Sequence, residues 1–277
     1  MRRSILILPF VVGLSTALFS TIVRTAGQAA AAPAWNPPHT TDGQPDIQGF
    51  WFAEPGSVAF THNIETGLDP NHQKMAGFNF KERSLVIDPP HGKIPYQPWA
   101  AAKRNAYYDV RENPPTPADF DPVAQCLLTG VPRIHYQPGG FQIIQFPGSI
   151  LFLAEFEHAY RIVPLDGRTH LGESIRLWMG DSRGKWERNT LVIDVTNRNG
   201  RTWFDWSGNF QSETLHMVER WTLVEMDTIR YEATLEDTNV YTRPWTIAFS
   251  LLRNKEPDYE LLEDACYEGN RTRFNAK

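Results

Sequence analysis

Residues 228–237 read Thr-Ile-Arg-Tyr-Glu-Ala-Thr-Leu-Glu-Asp. Ile229, Tyr231, Ala233 and Leu235 fall on one side of an extended chain, and Arg230, Glu232, Thr234 and Glu236 on the other. A period of two with one apolar and one charged face is the signature of a strand wetted on one side. Further along, Trp245, Ile247, Phe249 and Leu251 repeat the alternation. Earlier, Leu215, Met217, Trp221 and Leu223 do the same, with Glu219 among them. Turn signals recur at Asp166-Gly167, Gly180 to Gly184, Asn199-Gly200, Ser207-Gly208-Asn209 and Met226-Asp227. Short strands between tight turns predict an antiparallel meander. About eight such strands close most economically into a barrel or strongly curled sheet, because closure removes exposed edges. A two-sheet sandwich is the alternative.

The other half of the chain differs in composition. Seventeen of the 21 prolines lie between Pro33 and Pro147, and three follow. Proline removes a ladder donor and fixes φ, so residues 32–140 are expected to be an extended, proline-rich covering segment, and 141–277 the meander. One helix is expected in PWAAAKRNAYYDVRE, Pro98 to Glu112, where Pro98 suits the first turn and Asn113 before Pro114 ends the run. No internal repeat or low-complexity linker interrupts residues 32–277, which predicts a single all-β domain with one or two short helices.

Residues 1–31 read as an export signal. Arg2 and Arg3 precede a mostly apolar stretch from Ile5 to Val23, and small residues follow from Ala29 to Ala32. An uncleaved anchor is the alternative, weakened by Pro9, Gly13 and the hydroxyl residues between Ser15 and Thr21. The mature chain is therefore expected outside the cytoplasm, periplasmic or secreted, with no stable membrane insertion after cleavage. In an oxidising compartment the two cysteines, Cys126 and Cys266, are expected to pair. Removing the leader with its three arginines takes the formal charge from -5 to -8. An acidic chain without a phosphate-binding loop or basic run does not suit nucleic acid.

Gly180-Asp181-Ser182-Arg183-Gly184 fits the G-x-S-x-G pattern of a nucleophile elbow. The elbow needs a helix after the serine, whereas KWERNTLVIDV alternates as a strand, so the pentapeptide is read as a hairpin turn and Ser182 as a capping residue.

The stretch WMGDSRGKWERNTLVIDVTNRNGRTWFD, Trp178 to Asp205, resembles an uncharacterised family of exported bacterial proteins. PDIQGFW, IDPPHGKIPYQPWAAAKR, LHMVERWT, YTRPWT and DACYEGN extend the resemblance over most of residues 45–270. It implies no established activity. In that family Gly-Asp stands at Arg188-Asn189, and histidines stand at Gln211 and Tyr267, so no role of those histidines carries over.

The residues with chemistry gather around the strand region. Glu219, His158, Arg161 and His216 are the expected catalytic group, because histidines beside carboxylates move protons near neutral pH and an arginine neutralises a developing oxyanion. Parity places Glu219 inside with Trp221 and sends His216 and Arg220 to the opposite face. His158 and Arg161 also differ in parity, so only a bulge or bend lets all four serve one cavity. A buried ion pair of Glu219 with Arg161 or Arg243, or a solvated rim, explains the same residues without function. The acid–base reading needs no organic cofactor. His158, His170, His216 and the flanking glutamates could supply metal ligands, but no H-x-H or H-E-x-x-H spacing occurs, so a metal is the lesser alternative. Trp178, Trp203, Trp221, Tyr241 and Trp245 are the expected ligand-binding aromatics, with core packing as the plainer reading. Trp203 and Trp206, which flank Asp205 beside a turn, are expected to be exposed. Two functions fit. One is an exported acid–base enzyme acting on a small, partly apolar or aromatic molecule. The other is a lipocalin-like protein that binds such a molecule without transforming it.

Overall fold

A computed structural model describes residues 35–55, 61–65 and 84–264. Its strands are β1 Gly49–Ala53, β2 Val86–Asp88, β3 Phe141–Phe146, β4 Ser149–Ala154 and β5 Tyr160–Pro164, then β6 Asp181–Glu187, β7 Thr190–Thr196, β8 His216–Glu225, β9 Thr228–Glu236 and β10 Trp245–Arg253. They form one sheet in the order β5-β4-β3-β1-β10-β9-β8-β7-β6, with β2 pairing β10. Every pairing is antiparallel.

The sheet curls into a nearly closed barrel, as the alternation predicts. Its two edge strands, β5 and β6, meet where β6 has no side chain. A Cβ at Gly184 would lie 2.6 Å from Leu165 and 2.7 Å from Val163. Glycine there lets the edges approach until apolar side chains cover them. The interior is filled by the predicted faces: Ile229, Tyr231, Ala233 and Leu235 from β9, and Trp245, Ile247, Phe249 and Leu251 from β10, are all fully or almost fully buried.

The proline-rich half does more than cover. Its β1 runs between β3 and β10, pairing Trp51 with both Phe141 and Arg253. It links the β3-β4-β5 and β6-to-β10 ribbons through backbone pairing. The 3₁₀ turn Arg133–Tyr136 is buried throughout: His135 reaches into the barrel beside Glu219, while Arg133 pairs with Asp121 at 2.7 Å. The predicted helix is present as α1, Pro98–Val110, with proline in its first turn.

Two local expectations are corrected. Gly180 to Gly184 is not a hairpin turn: Asp181 to Glu187 is strand β6, in register with Thr190 to Thr196. Only Gly180, at φ +73°, turns the chain, and the two-residue hairpin lies further on, at Arg188-Asn189. Ladder bonding outcompetes the local side-chain caps that Asp181 and Ser182 offer. Trp203 is not exposed either. It is 7% accessible because its loop folds beneath α1 and Tyr107 lies against it, ring centroids 4.6 Å apart.

The leader and Cys266 lie outside the described residues. No helix among the described residues is long and apolar enough to cross a membrane.

Candidate functional site

Two polar regions stand out, one sealed in the barrel and one open beside it. The sealed one centres on Glu219. β8 runs in unbroken register with β9 from His216 to Leu223, so no bulge alters its parity. Glu219 therefore points inward and is fully buried. Arg161, from β5, bonds Glu219 Oε2 through Nη2 and donates from Nε to Ser182 Oγ at 2.9 Å. Tyr231 donates its hydroxyl to Glu219 Oε1 at 2.8 Å. His135, from the 3₁₀ turn, brings Nε2 within 3.6 Å of the same oxygen.

Burial by itself would push the Glu219 carboxyl up. The Arg161 charge, with His135 beside it, outweighs that and holds the group at about 2. Burial lowers His135, so its ring is neutral at physiological pH. A base works best with a pKa near working pH, and a carboxylate at about 2 is a poor proton acceptor. Beside this cluster lies a cavity of about 10 Å³, lined by His135, Arg161, Phe152 and Met179 among others, enough for one water molecule.

The four residues expected to act together are thus divided. Glu219 and Arg161 meet. His216 lies on the outer face, its Nε2 2.8 Å from Asp194 Oδ2. His170 bridges that Asp194 to Asp181, at 2.8 Å on each side. His158 sits after the bend that ends β4, 51% exposed and 3.6 Å from Glu263. The histidine that does join Glu219 is His135, which the sequence reading missed. It lies in a 3₁₀ turn with no hydrophobic period to betray its direction. Among the described residues no group of three or more histidine, cysteine or acidic side chains is arranged to hold a metal ion.

The predicted aromatics divide as well. Trp221, Tyr241 and Trp245 are core residues, each at most 2% exposed. Trp221, for example, meets His135 edge-on at 4.7 Å and Tyr231 at 4.8 Å. Trp178 and Trp203 line an open cleft of about 570 Å³ outside the barrel, a volume typical of small-molecule sites.

Besides Trp178, three segments line this cleft. On α1, Trp99, Lys103 and Tyr107 are spaced four apart, which stacks them on one helix face. The 3₁₀ turns at Pro117–Asp119 and Pro122–Gln125 supply Phe120 and Gln125. The third wall is the chain from Asn199 to Glu213, carrying Arg201, Trp203, Phe210 and Gln211.

A second buried carboxylate holds this third wall. Asp205 is fully buried and accepts from the Ile64 amide at 2.8 Å and from Asn209 through both its side chain, at 2.6 Å, and its amide, at 3.2 Å. Asn209 Oδ1 in turn accepts from Tyr96 at 3.0 Å and from Arg104 of α1 at 3.2 Å. Burial raises Asp205 to about 6 despite these bonds. Gly208, at φ +81°, completes the joint, because a Cβ there would lie 2.6 Å from Tyr107 Cβ. The spacing of Trp99, Lys103 and Tyr107 was readable from sequence, but the loop that faces them is distant in the chain.

Against protein-family models, curated proteins and solved structures, the chain has no match.

Proposed function

We propose that this protein binds a small, partly aromatic molecule, and that the molecule lies in the aromatic cleft and not inside the barrel. The observation that carries this reading is the 570 Å³ cleft walled by Trp99, Tyr107, Phe120, Trp178, Trp203 and Phe210. Aromatic rings offer flat apolar area at little conformational cost, and a ligand ring gains from offset or edge-on contact with them. A lipocalin-like interior pocket is disfavoured, because Trp221, Tyr231, Trp245 and His135 occupy that space. Acid–base catalysis at Glu219 is disfavoured by its ion pair and by the water-sized opening beside it. The reading includes export, supported by the Arg2-Arg3 leader, and a Cys126–Cys266 disulfide, supported by the absence of a free cysteine among the described residues.

Three tryptophans in the cleft make the test direct. Titration with 2-naphthalenemethanol should quench intrinsic fluorescence saturably, and Phe210→Ala should weaken the binding. Quenching that is unsaturable, or equal in Phe210→Ala, would defeat the proposal.

A further inference from the structure

Resting on that reading, we infer that the cleft selects an aromatic anion, of which an aromatic carboxylate is the simplest form. The chain is acidic overall, at a formal -5, yet the cleft collects cations. Lys103 Nζ lies 5.0 Å from the Phe210 centroid and 5.5 Å from that of Tyr107. The Arg201 guanidinium lies 5.2 Å from the Trp178 centroid. Among the described residues neither cation has a carboxylate partner within ion-pair distance, whereas Arg104, one residue from Lys103, pairs with Glu65 at 3.4 Å. Both are held over rings and keep their charge for something else.

A third positive charge lies directly behind the wall. Arg198 is 1% exposed and, among the described residues, also lacks a carboxylate partner. Neutral groups hold it: the Val131 carbonyl, Thr202 Oγ1 at 2.7 Å and, with the Gln211 amide in its bonding orientation, Gln211 Oε1 at 2.6 Å. In that orientation Gln211, which lines the cleft, keeps its NH₂ to donate. A cation buried without a counter-ion projects its field toward the nearest polar opening, where an anion gains from it. Among the described residues the acidic group lining the cleft is Glu213, 62% exposed and 3.8 Å from Arg176, so it offsets little. The aromatic walls and the three cations thus ask for one ligand with a flat ring and a negative group.

The test compares two probes of nearly one shape, 2-naphthoate and the neutral 2-naphthalenemethanol, by calorimetry at low and high salt. The full exported chain should bind the carboxylate at least about tenfold more tightly at low salt, with the ratio shrinking as salt rises. Lys103→Met and Arg201→Gln should each lower the ratio severalfold. Gln211→Glu should lower it too, by giving Arg198 a counter-ion without emptying the wall. Melting temperatures of the three variants show whether each still folds, and the two surface variants serve if Gln211→Glu does not. Equal binding of both probes, or a ratio unmoved by all three substitutions, overturns the anion inference and leaves the aromatic cleft standing. Binding of neither probe overturns the proposed function itself.

Discussion

Glu219 and Asp205 are both carboxylates with no exposed surface, and burial pushes both up, yet their partners leave them on opposite sides of the ordinary value. Glu219 faces Arg161 and is held at about 2, while Asp205 has only neutral donors in contact and rises to about 6. The first belongs to a sealed core and the second to the joint that shapes an open cleft. The contrast shows that a concentration of ionisable side chains is not by itself a functional site. Charges that are paired, bonded and walled off have their chemistry spent on holding the fold. Charges left over rings at an open cleft, such as Lys103 and Arg201, are available to a ligand.

The largest effect expected is on the cleft side. Cys126 follows the 3₁₀ turn Pro122–Gln125 and precedes Leu127, which lines the cleft. If it pairs with Cys266, reduction should cost up to about 5 kcal/mol, the chain-entropy figure for so long a loop, and should loosen the cleft before the barrel. Non-reducing peptide mapping decides the pairing, and recovery of both cysteines as free thiols would remove it.

Glu219→Gln breaks the sealed cluster. Leaving Arg161 buried without its counter-charge should cost about 3–5 kcal/mol in urea unfolding. Naphthalenemethanol binding by the folded fraction should be unaffected. Loss of binding in a protein that still folds would join the two regions and undo the comparison.

Stability against pH separates the two carboxylates. Glu219, depressed in the folded state, contributes stability that is complete above pH ~4.5 and is lost as pH falls toward 2. Asp205 is raised, so the folded state holds its proton more tightly than the unfolded chain does. Its contribution therefore falls as pH rises from about 4 to about 6, by on the order of 3 kcal/mol. Urea midpoints across that window should decline in the natural protein and stay flatter in Asp205→Asn. A decline identical in both would refute the assignment.

Gly208→Ala should cost about 2 kcal/mol, since it adds a strained left-handed backbone to a clash with Tyr107. It should also weaken ligand binding by shifting α1. The smallest effect is that of Trp178→Ala: about 1–1.5 kcal/mol of binding, read by calorimetry, with little change in melting temperature because the ring is only half-buried. If it instead unfolds the protein, Trp178 belongs to the core and the cleft loses one wall.

Much of the fold was legible because alternation is local. Met217, Glu219, Trp221 and Leu223 announce their common face within seven residues, and Pro98 announces α1. The same parity rule separated Glu219 from His216 without any tertiary information. The site was legible only in pieces. Trp178 and Trp203 could be named as ligand-binding candidates, but Trp221, Tyr241 and Trp245 looked the same in sequence, because an aromatic at an inward position carries no mark of what it faces.

The sequence by itself determined that this chain is mainly antiparallel β with a helix from Pro98, since strand period, turn residues and proline placement act over a few residues. That the strands curl into one sheet and not a two-sheet sandwich was decided by the tertiary structure. Only the tertiary structure decided that β1 completes the sheet, that His135 reaches Glu219, and that α1 faces the loop from Asn199 to Glu213. Those contacts join residues far apart in the chain, Trp51 with Arg253 among them. They are selected by how side chains fill the remaining space and satisfy buried charge, and no short stretch of the chain encodes that.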